Sequence, residues 1–200
     1  MQSESATRPL VLVHGLLDTP GLFSRLERRL EGQHRPVLSP HLPHRFGATP
    51  LRKLAQQLDG LIQDCWGLET PIDLLGFSMG GVIARTWLQE FGGAKRTHRF
   101  ISVGSPQQGT LTAQCIPAWL FAGLADMKRG SPLLRSLNDN YADLQTVECI
   151  SFFCRWDLMV CPGWQAVLPI GNSTAVPVLT HQQLMSHPRS LDLLIESLLN

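Results

Sequence analysis

The stretch that decides the fold is IDLLGFSMGG, residues 72–81. Residues 72–75 form a largely apolar run that is typical of a buried strand, and residues 80–85 continue as a predicted helix. Ser78 lies between the two, with Gly76 and Gly80 on either side. A tight turn from strand to helix strains its central residue and brings neighbouring chain close, which favours glycine at both flanking positions. The stretch therefore predicts a serine nucleophile, Ser78, on such a turn.

Length and composition favour one globular domain over residues 1–200. The chain is 44% hydrophobic and 16% charged, enough apolar material for one core, and its formal net charge of +1 gives no electrostatic basis for binding nucleic acid. The apolar run at residues 10–13 is too short for a signal peptide. No stretch of about twenty apolar residues is present to span a bilayer. We therefore expect a monomer in the cytoplasm without stable membrane insertion.

The cysteines give no sign of a cross-linked or metal-dependent protein. There are five of them, an odd number, and none is part of a C-x-x-C pair. Neither a disulfide framework nor a zinc site is indicated by this spacing. No nucleotide-binding motif accompanies the predicted strands. The sequence therefore predicts no metal and no cofactor.

Apolar periodicity predicts alternating strands and helices. Predicted strands cover residues 10–13, 36–38, 72–75, 100–103, 149–153 and 176–179. Predicted helices cover residues 22–30, stopped by Gly32, then residues 51–65, the segment after Ser78 and a C-terminal helix over 184–198. This order implies an α/β fold whose mostly parallel sheet carries helices on both faces, with the reactive groups beyond the carboxyl ends of the strands.

A nucleophilic serine needs a base, and the base needs an acid that orients it. In this fold class the three follow the order serine, acid, histidine along the chain. Asp157 follows the predicted strand at 149–153 and His181 follows the one at 176–179, so they are the predicted acid and base. Alternatives that fit strand-end position less well are Asp139 and Asp143 for the acid and His187 for the base.

Backbone N–H groups are expected to stabilise the oxyanion that forms when the serine attacks a carbonyl. In this layout one donor is the residue after the nucleophile, Met79, and the other lies in the loop after an early strand. His14, Gly15 and Leu16 directly follow residues 10–13. We therefore predict Leu16 as the second donor, with the side chain of His14 in a structural role.

These segments together resemble the small bacterial lipases and esterases of the α/β-hydrolase superfamily, most closely the minimal triacylglycerol lipase type with a small or absent lid. The resemblance covers most of the chain and rests on residues 11–16, 76–81, 103–110, 157–160 and the terminal segment with His181. It implies a catalytic triad of Ser78, Asp157 and His181. It also implies oxyanion donors at Leu16 and Met79.

Residues 111–137 form the longest insert between predicted strands and include the apolar segment 116–124. This segment is either a short lid or acyl-binding wall, or a helix that faces the core. Phe77 and Trp119 are predicted to line the substrate pocket.

The predicted function is a serine carboxylic ester hydrolase, an esterase or lipase, that acts through an acyl-enzyme on a small-molecule ester or lipid with an apolar acyl chain. A thioesterase or acyltransferase would use the same triad. A hydrolase-fold binding protein without catalysis is the alternative from another class.

Overall fold

One parallel six-stranded sheet forms the centre of the protein. The computed structural model describes residues 8–31 and 36–199. Within them the strands are β1 (Leu10–Val13), β2 (Val37–Leu38), β3 (Ile72–Phe77), β4 (Thr97–Val103), β5 (Glu148–Cys154) and β6 (Asn172–Val176). Their order across the sheet is β2-β1-β3-β4-β5-β6, and every neighbouring pair is parallel. The sheet predicted from the alternation of elements is confirmed.

Helices cover both faces of the sheet. They are α1 (Ser24–Leu30), α2 (Leu51–Trp66), α3 (Met79–Glu90), α4 (Ala122–Asp126), α5 (Pro132–Asp139), α6 (Gln183–Ser186) and α7 (Pro188–Leu199). Successive strand residues point to opposite faces, so Val11 and Val13 pack with α2 to α5, whereas Leu10 and Leu12 pack with α1, α6 and α7. In the described part of the chain no helix combines the length and the apolar character needed to cross a membrane.

Two prolines set element boundaries. The last strand, β6, ends at Val176, before Pro177, because proline has no N–H to donate to the ladder. The N–H of Val178 instead bonds to the carbonyl of Val176 at 2.8 Å. Pro188 starts α7, as proline at a first helical position predicts, and the part of the predicted C-terminal helix before it is the separate helix α6. The predicted stop of the first helix at Gly32 lies outside the described residues.

The turn predicted around Ser78 joins β3 to α3. Ser78 has φ 53° and ψ −128°, a conformation that residues with a Cβ rarely adopt. A Cβ on Gly76 would overlap the backbone of Gly81, and a Cβ on Gly80 would overlap the carbonyl of Val13 in β1. Both glycines are therefore required by close approach of the backbone, and α3 packs directly on the sheet.

The buried guanidinium of Arg85 links α3 by hydrogen bonds to the segments that follow β4. Arg85 is fully buried and donates to the carbonyl of Gln107 at 3.2 Å, to the carbonyl of Leu137 at 2.8 Å and to Oδ1 of Asn138 at 2.9 Å. Burial lowers the pKa of Arg85 to about 10, a value at which the side chain is still charged near neutral pH. These charge-assisted bonds hold α5 and the loop after β4 against α3.

The packing around the turn predicts opposite effects for two glycines that both lie in helices. Gly80→Ala should lower the free energy of unfolding by about 2 kcal/mol or more, because the new methyl group overlaps the Val13 carbonyl. Gly60→Ala in α2 should raise it by about 0.5–1 kcal/mol, because a Cβ there meets no atom within 4 Å and alanine favours the helix. Urea unfolding measures both, and equal changes in the two variants would contradict the described packing.

Candidate active site

Ser78 lies at the carboxyl edge of the sheet, where β3 and β4 end side by side. Its N–H donates to the carbonyl of Val103, the last residue of β4, at 2.9 Å. The carbonyl of Ser78 in turn accepts from the N–H of Gly81 in the first turn of α3 at 3.1 Å. Bonds on both sides of the strained residue fix the position of its side chain, which lines a cavity of about 210 Å³ together with His181.

Asp157 and His181 form a buried pair beside this cavity. Nδ1 of His181 lies 2.6 Å from Oδ2 of Asp157, and each residue is only 4% exposed. Oδ1 of Asp157 accepts from the N–H groups of Met159 at 2.8 Å and Val160 at 2.9 Å. Because both carboxylate oxygens are held, the carboxylate has one orientation, and it holds the imidazole by Nδ1.

The second nitrogen of the imidazole is left without a partner. Nε2 of His181 is buried and makes no hydrogen bond with any described residue, Ser78 included. The ring packs on Phe77, with the ring centroids 4.8 Å apart, and a Cβ on Gly104 would come within 3.1 Å of its Cε1 atom. The ring is therefore confined, and Nε2 is available to a group in the cavity.

Backbone N–H groups flank the serine at the positions predicted for oxyanion donors. Met79 is the first residue of α3, and its N–H belongs to the helix N-terminus, where donors are free of helical partners. Leu16 lies in the loop after β1 and lines the same cavity as Ser78. Neither N–H donates to a backbone carbonyl outside the regular elements within the described residues. Leu16 and Met79 thus stay the predicted oxyanion donors.

The side chain of His14 has a structural role, as the position of this residue directly after β1 predicts. Its Nε2 accepts from the N–H of Leu42 at 3.2 Å, which leaves Nδ1 as the donor to the carbonyl of Gly15 at 3.0 Å. Burial lowers the pKa of His14, so the ring is neutral. His41 and His44 pack on the same ring, yet among the described residues no group of three or more His, Cys, Asp or Glu side chains could hold a metal ion.

The segment at residues 103–110 connects the turn at Ser78 to the loop that carries Asp157. Ser105 packs where a Cβ on Gly81 would lie, and Nε2 of Gln107 donates to the carbonyl of Gly81 at 3.2 Å. Thr110 accepts from the N–H of Cys161 at 2.9 Å and donates to the carbonyl of Met159 at 3.1 Å. One end of the segment thus fixes the serine turn, and the other fixes the loop that carries Asp157.

The residues considered as alternative acid or base lie outside the cavity that contains Ser78. Asp143 lines a different cavity together with Thr97, the first residue of β4, at the amino edge of the sheet. Asp139 ends α5 in an exposed position. Nδ1 of His187 accepts from the N–H of Arg189, the second residue of α7, at 3.3 Å. None of the three lines the cavity that contains Ser78.

Half of the apolar residues that line the cavity come from the insert, and the two residues predicted to line it do not. Phe77 is fully buried beneath the imidazole, and the side chain of Trp119 is 86% exposed. Neither lines the cavity, because Phe77 points into the sheet face and Trp119 points to solvent. The apolar lining consists of Leu16, Pro106, Ala113, Ile116, Leu124, Met127, Met159 and Val160. The insert thus forms a wall beside the serine.

The carboxylate in the lining, that of Asp18, was not singled out from the sequence. Asp18 follows the predicted oxyanion loop by two positions, and Gln182 follows His181 directly. Oε1 of the next residue, Gln183, accepts from the N–H groups of Leu179 and Thr180 and so fixes the turn that carries His181. A carboxylate directly after the apolar end of a predicted site loop was the available signal for Asp18.

Comparisons with known proteins agree with this fold. No curated protein matches the chain. The mature lipase BlEst2 of Bacillus licheniformis is similar in structure, with a TM-score of 0.74, 15% identity, and coverage of 96% of this chain and 92% of that one. Lipase B of Aspergillus fumigatus has a TM-score of 0.77 and 16% identity, with 100% of this chain and 54% of that chain covered. MGS-MChE2, an α/β-hydrolase enzyme from a sediment metagenome of the Mar Chica lagoon, Morocco, has a TM-score of 0.69 and 19% identity, with 96% and 90% covered.

A family model matches most of the chain. The model is that of palmitoyl protein thioesterase, and it covers residues 9–150, which run from β1 through the serine turn into β5. The sheet, the strained serine turn and the structural neighbours all belong to the α/β-hydrolase fold. The chain therefore belongs to the palmitoyl protein thioesterase family of α/β-hydrolases.

Proposed function

We propose that the protein is a serine hydrolase that cleaves carboxylic esters with an apolar acyl chain through an acyl-enzyme. The observation that carries the proposal is the buried pair of Asp157 and His181, which leaves Nε2 of the imidazole unpartnered beside the cavity of Ser78. Holding a histidine by Nδ1 with a buried carboxylate is the arrangement that makes its other nitrogen a base for a serine hydroxyl.

In the first half of the reaction, Oγ of Ser78 attacks the carbonyl carbon of the substrate and Nε2 of His181 takes the hydroxyl proton. Asp157 stabilises the imidazolium that results. The carbonyl oxygen becomes an oxyanion that accepts hydrogen bonds from the N–H groups of Leu16 and Met79. When the tetrahedral intermediate collapses, the bond to the alcohol breaks, His181 protonates the alcohol oxygen, and the acyl group stays on Ser78.

In the second half, a water molecule attacks the acyl carbon and gives its proton to Nε2 of His181. A second tetrahedral intermediate forms, with its oxyanion bound to the same two N–H groups. Its collapse breaks the bond to Oγ of Ser78, which takes the proton back from His181. The carboxylic acid leaves and the enzyme is restored.

The apolar surface around Ser78 supports the proposal that the acyl group of the substrate is apolar. The insert contributes Ile116, Leu124 and Met127 to the cavity wall. Each methylene buried there is worth about 0.8 kcal/mol, or about fourfold in kcat/KM until the wall is covered. Exposed apolar side chains also extend from the loops that carry the site, namely Leu17, Leu158 and Leu179. A lipid-like ester fits these surfaces.

Thioesters are the second candidate substrate class, because the matching family model is that of palmitoyl protein thioesterase. The same residues would serve, since a thiolate leaves the tetrahedral intermediate more readily than an alkoxide and needs less help from His181. Hydrolysis of an ester and a thioester with the same acyl chain, compared by kcat/KM, separates the two classes.

Removal of the proposed nucleophile or base should abolish turnover. Ser78→Ala and His181→Ala are each expected to lower kcat for p-nitrophenyl ester hydrolysis by about a thousandfold or more, because covalent catalysis then lacks its nucleophile or its base. His187→Ala, the matched histidine control, should retain near wild-type kcat because His187 lies outside the cavity. Equal losses in His181→Ala and His187→Ala would refute the assignment of the base.

The acid can be tested with an isosteric change that keeps the cavity intact. Asp157→Asn is expected to lower kcat by about a thousandfold or more, because an amide at this position does not stabilise the imidazolium and favours the wrong tautomer of His181. Asp143→Asn, which removes a carboxylate at the opposite edge of the sheet, should leave kcat unchanged. Steady-state kinetics measures both, and comparable kcat values in the two variants would show that Asp157 is not the acid.

A further inference from the structure

A second carboxylate, that of Asp18, lies close to the serine and is not used by the proposed mechanism. Asp18 lines the cavity together with Ser78 and His181. A Cβ built on Gly15 would lie 2.8 Å from Oδ2 of Asp18 and 2.8 Å from Cβ of Ser78, so those two atoms are less than twice that distance apart. The carboxylate is therefore close enough to contact a group that is attached to a carbonyl under attack by Ser78.

Among the described residues this carboxylate has no partner. No described residue donates a hydrogen bond to it or forms an ion pair with it, and the described lining of the cavity contains no lysine or arginine. The titratable groups that act on its charge are His181 and His44. Burial raises the pKa of Asp18, an effect that these two histidines partly offset. A half-buried carboxylate without a donor is a group that a donor on a ligand would satisfy.

The remaining lining decides which part of the substrate meets Asp18. An apolar acyl chain gains by lying along the wall formed by Ile116, Leu124 and Met127. The same chain against Asp18 would remove water from a carboxylate and give it no hydrogen bond in return, which is unfavourable. The leaving group, on the other side of the carbonyl, is therefore the part that faces Asp18.

We propose that Asp18 is a specificity-determining residue that selects leaving groups with a positive charge or an N–H or O–H donor close to the scissile bond. This inference rests on the proposed function, because it assumes that Ser78 attacks the carbonyl. A charge-assisted hydrogen bond or ion pair with the leaving group stabilises the bound substrate and its transition state. A leaving group that is neutral and without donors leaves the carboxylate unpaired, and an anionic one is repelled by it.

A pair of substrates with nearly identical shape tests this proposal. Butyrylcholine carries a quaternary ammonium where 3,3-dimethylbutyl butyrate carries a neutral quaternary carbon, so the ratio of their kcat/KM values isolates the charge. The wild type is expected to favour butyrylcholine about tenfold. Asp18→Asn, which keeps the shape of the side chain, is expected to bring the ratio close to one. If the wild type cleaves only thioesters, the corresponding thiocholine and 3,3-dimethylbutyl thioesters give the same ratio.

Controls separate this proposal from the proposed function. Asp143→Asn removes one negative charge at the far edge of the sheet and should keep the wild-type ratio. Asp18→Ser is a second variant in case the asparagine side chain disturbs the loop. A wild-type ratio near one, or a ratio that is equal in wild type and both Asp18 variants, would overturn the role of Asp18 while leaving the serine mechanism intact. Full activity in Ser78→Ala, or no hydrolysis of any of these substrates by the wild type, would overturn the serine mechanism and the role of Asp18 with it.

Discussion

The close approach of backbone at the serine turn is the constraint on which the rest of the structure depends. Gly80 lies against the carbonyl of Val13, and Gly76 lies against Gly81, so α3 begins in direct contact with the sheet. That contact holds Ser78 in a strained conformation above the carboxyl edge. Strain of this kind persists only where the surroundings over-determine it, and here β1, β3 and β4 all contribute.

The other site residues are held by loops that are tied to this turn. The segment at 103–110 contacts the turn through Ser105 and Gln107 and contacts the acid loop through Thr110. The ring of Phe77, the residue before the serine, packs against the imidazole of His181. The proposed nucleophile, acid and base are therefore positioned by one connected set of contacts, which is a physical basis for a reaction that needs them aligned within fractions of an ångström.

Sequence predicted those features that depend on local chemistry or on chain order. The turn at Ser78 follows from glycines that only close packing explains, and the buried pair of Asp157 and His181 joins the residues chosen by strand-end position. The cavity wall was not predictable in this way. Ile116 lines it while Trp119, three residues later, points to solvent, because the path of the insert depends on contacts with distant segments. The direction of the Asp18 side chain depends likewise on the loop conformation.

The central claim is that Ser78 is a nucleophile activated by its surroundings, and covalent labelling tests it most directly. The folded wild-type protein would be treated with a fluorophosphonate, which reacts with activated serines, and the modified peptide would be identified by mass spectrometry. The account predicts a single phosphonyl adduct on Ser78, formed far more slowly in His181→Ala. No adduct, or an adduct confined to another residue of the folded protein, would contradict it.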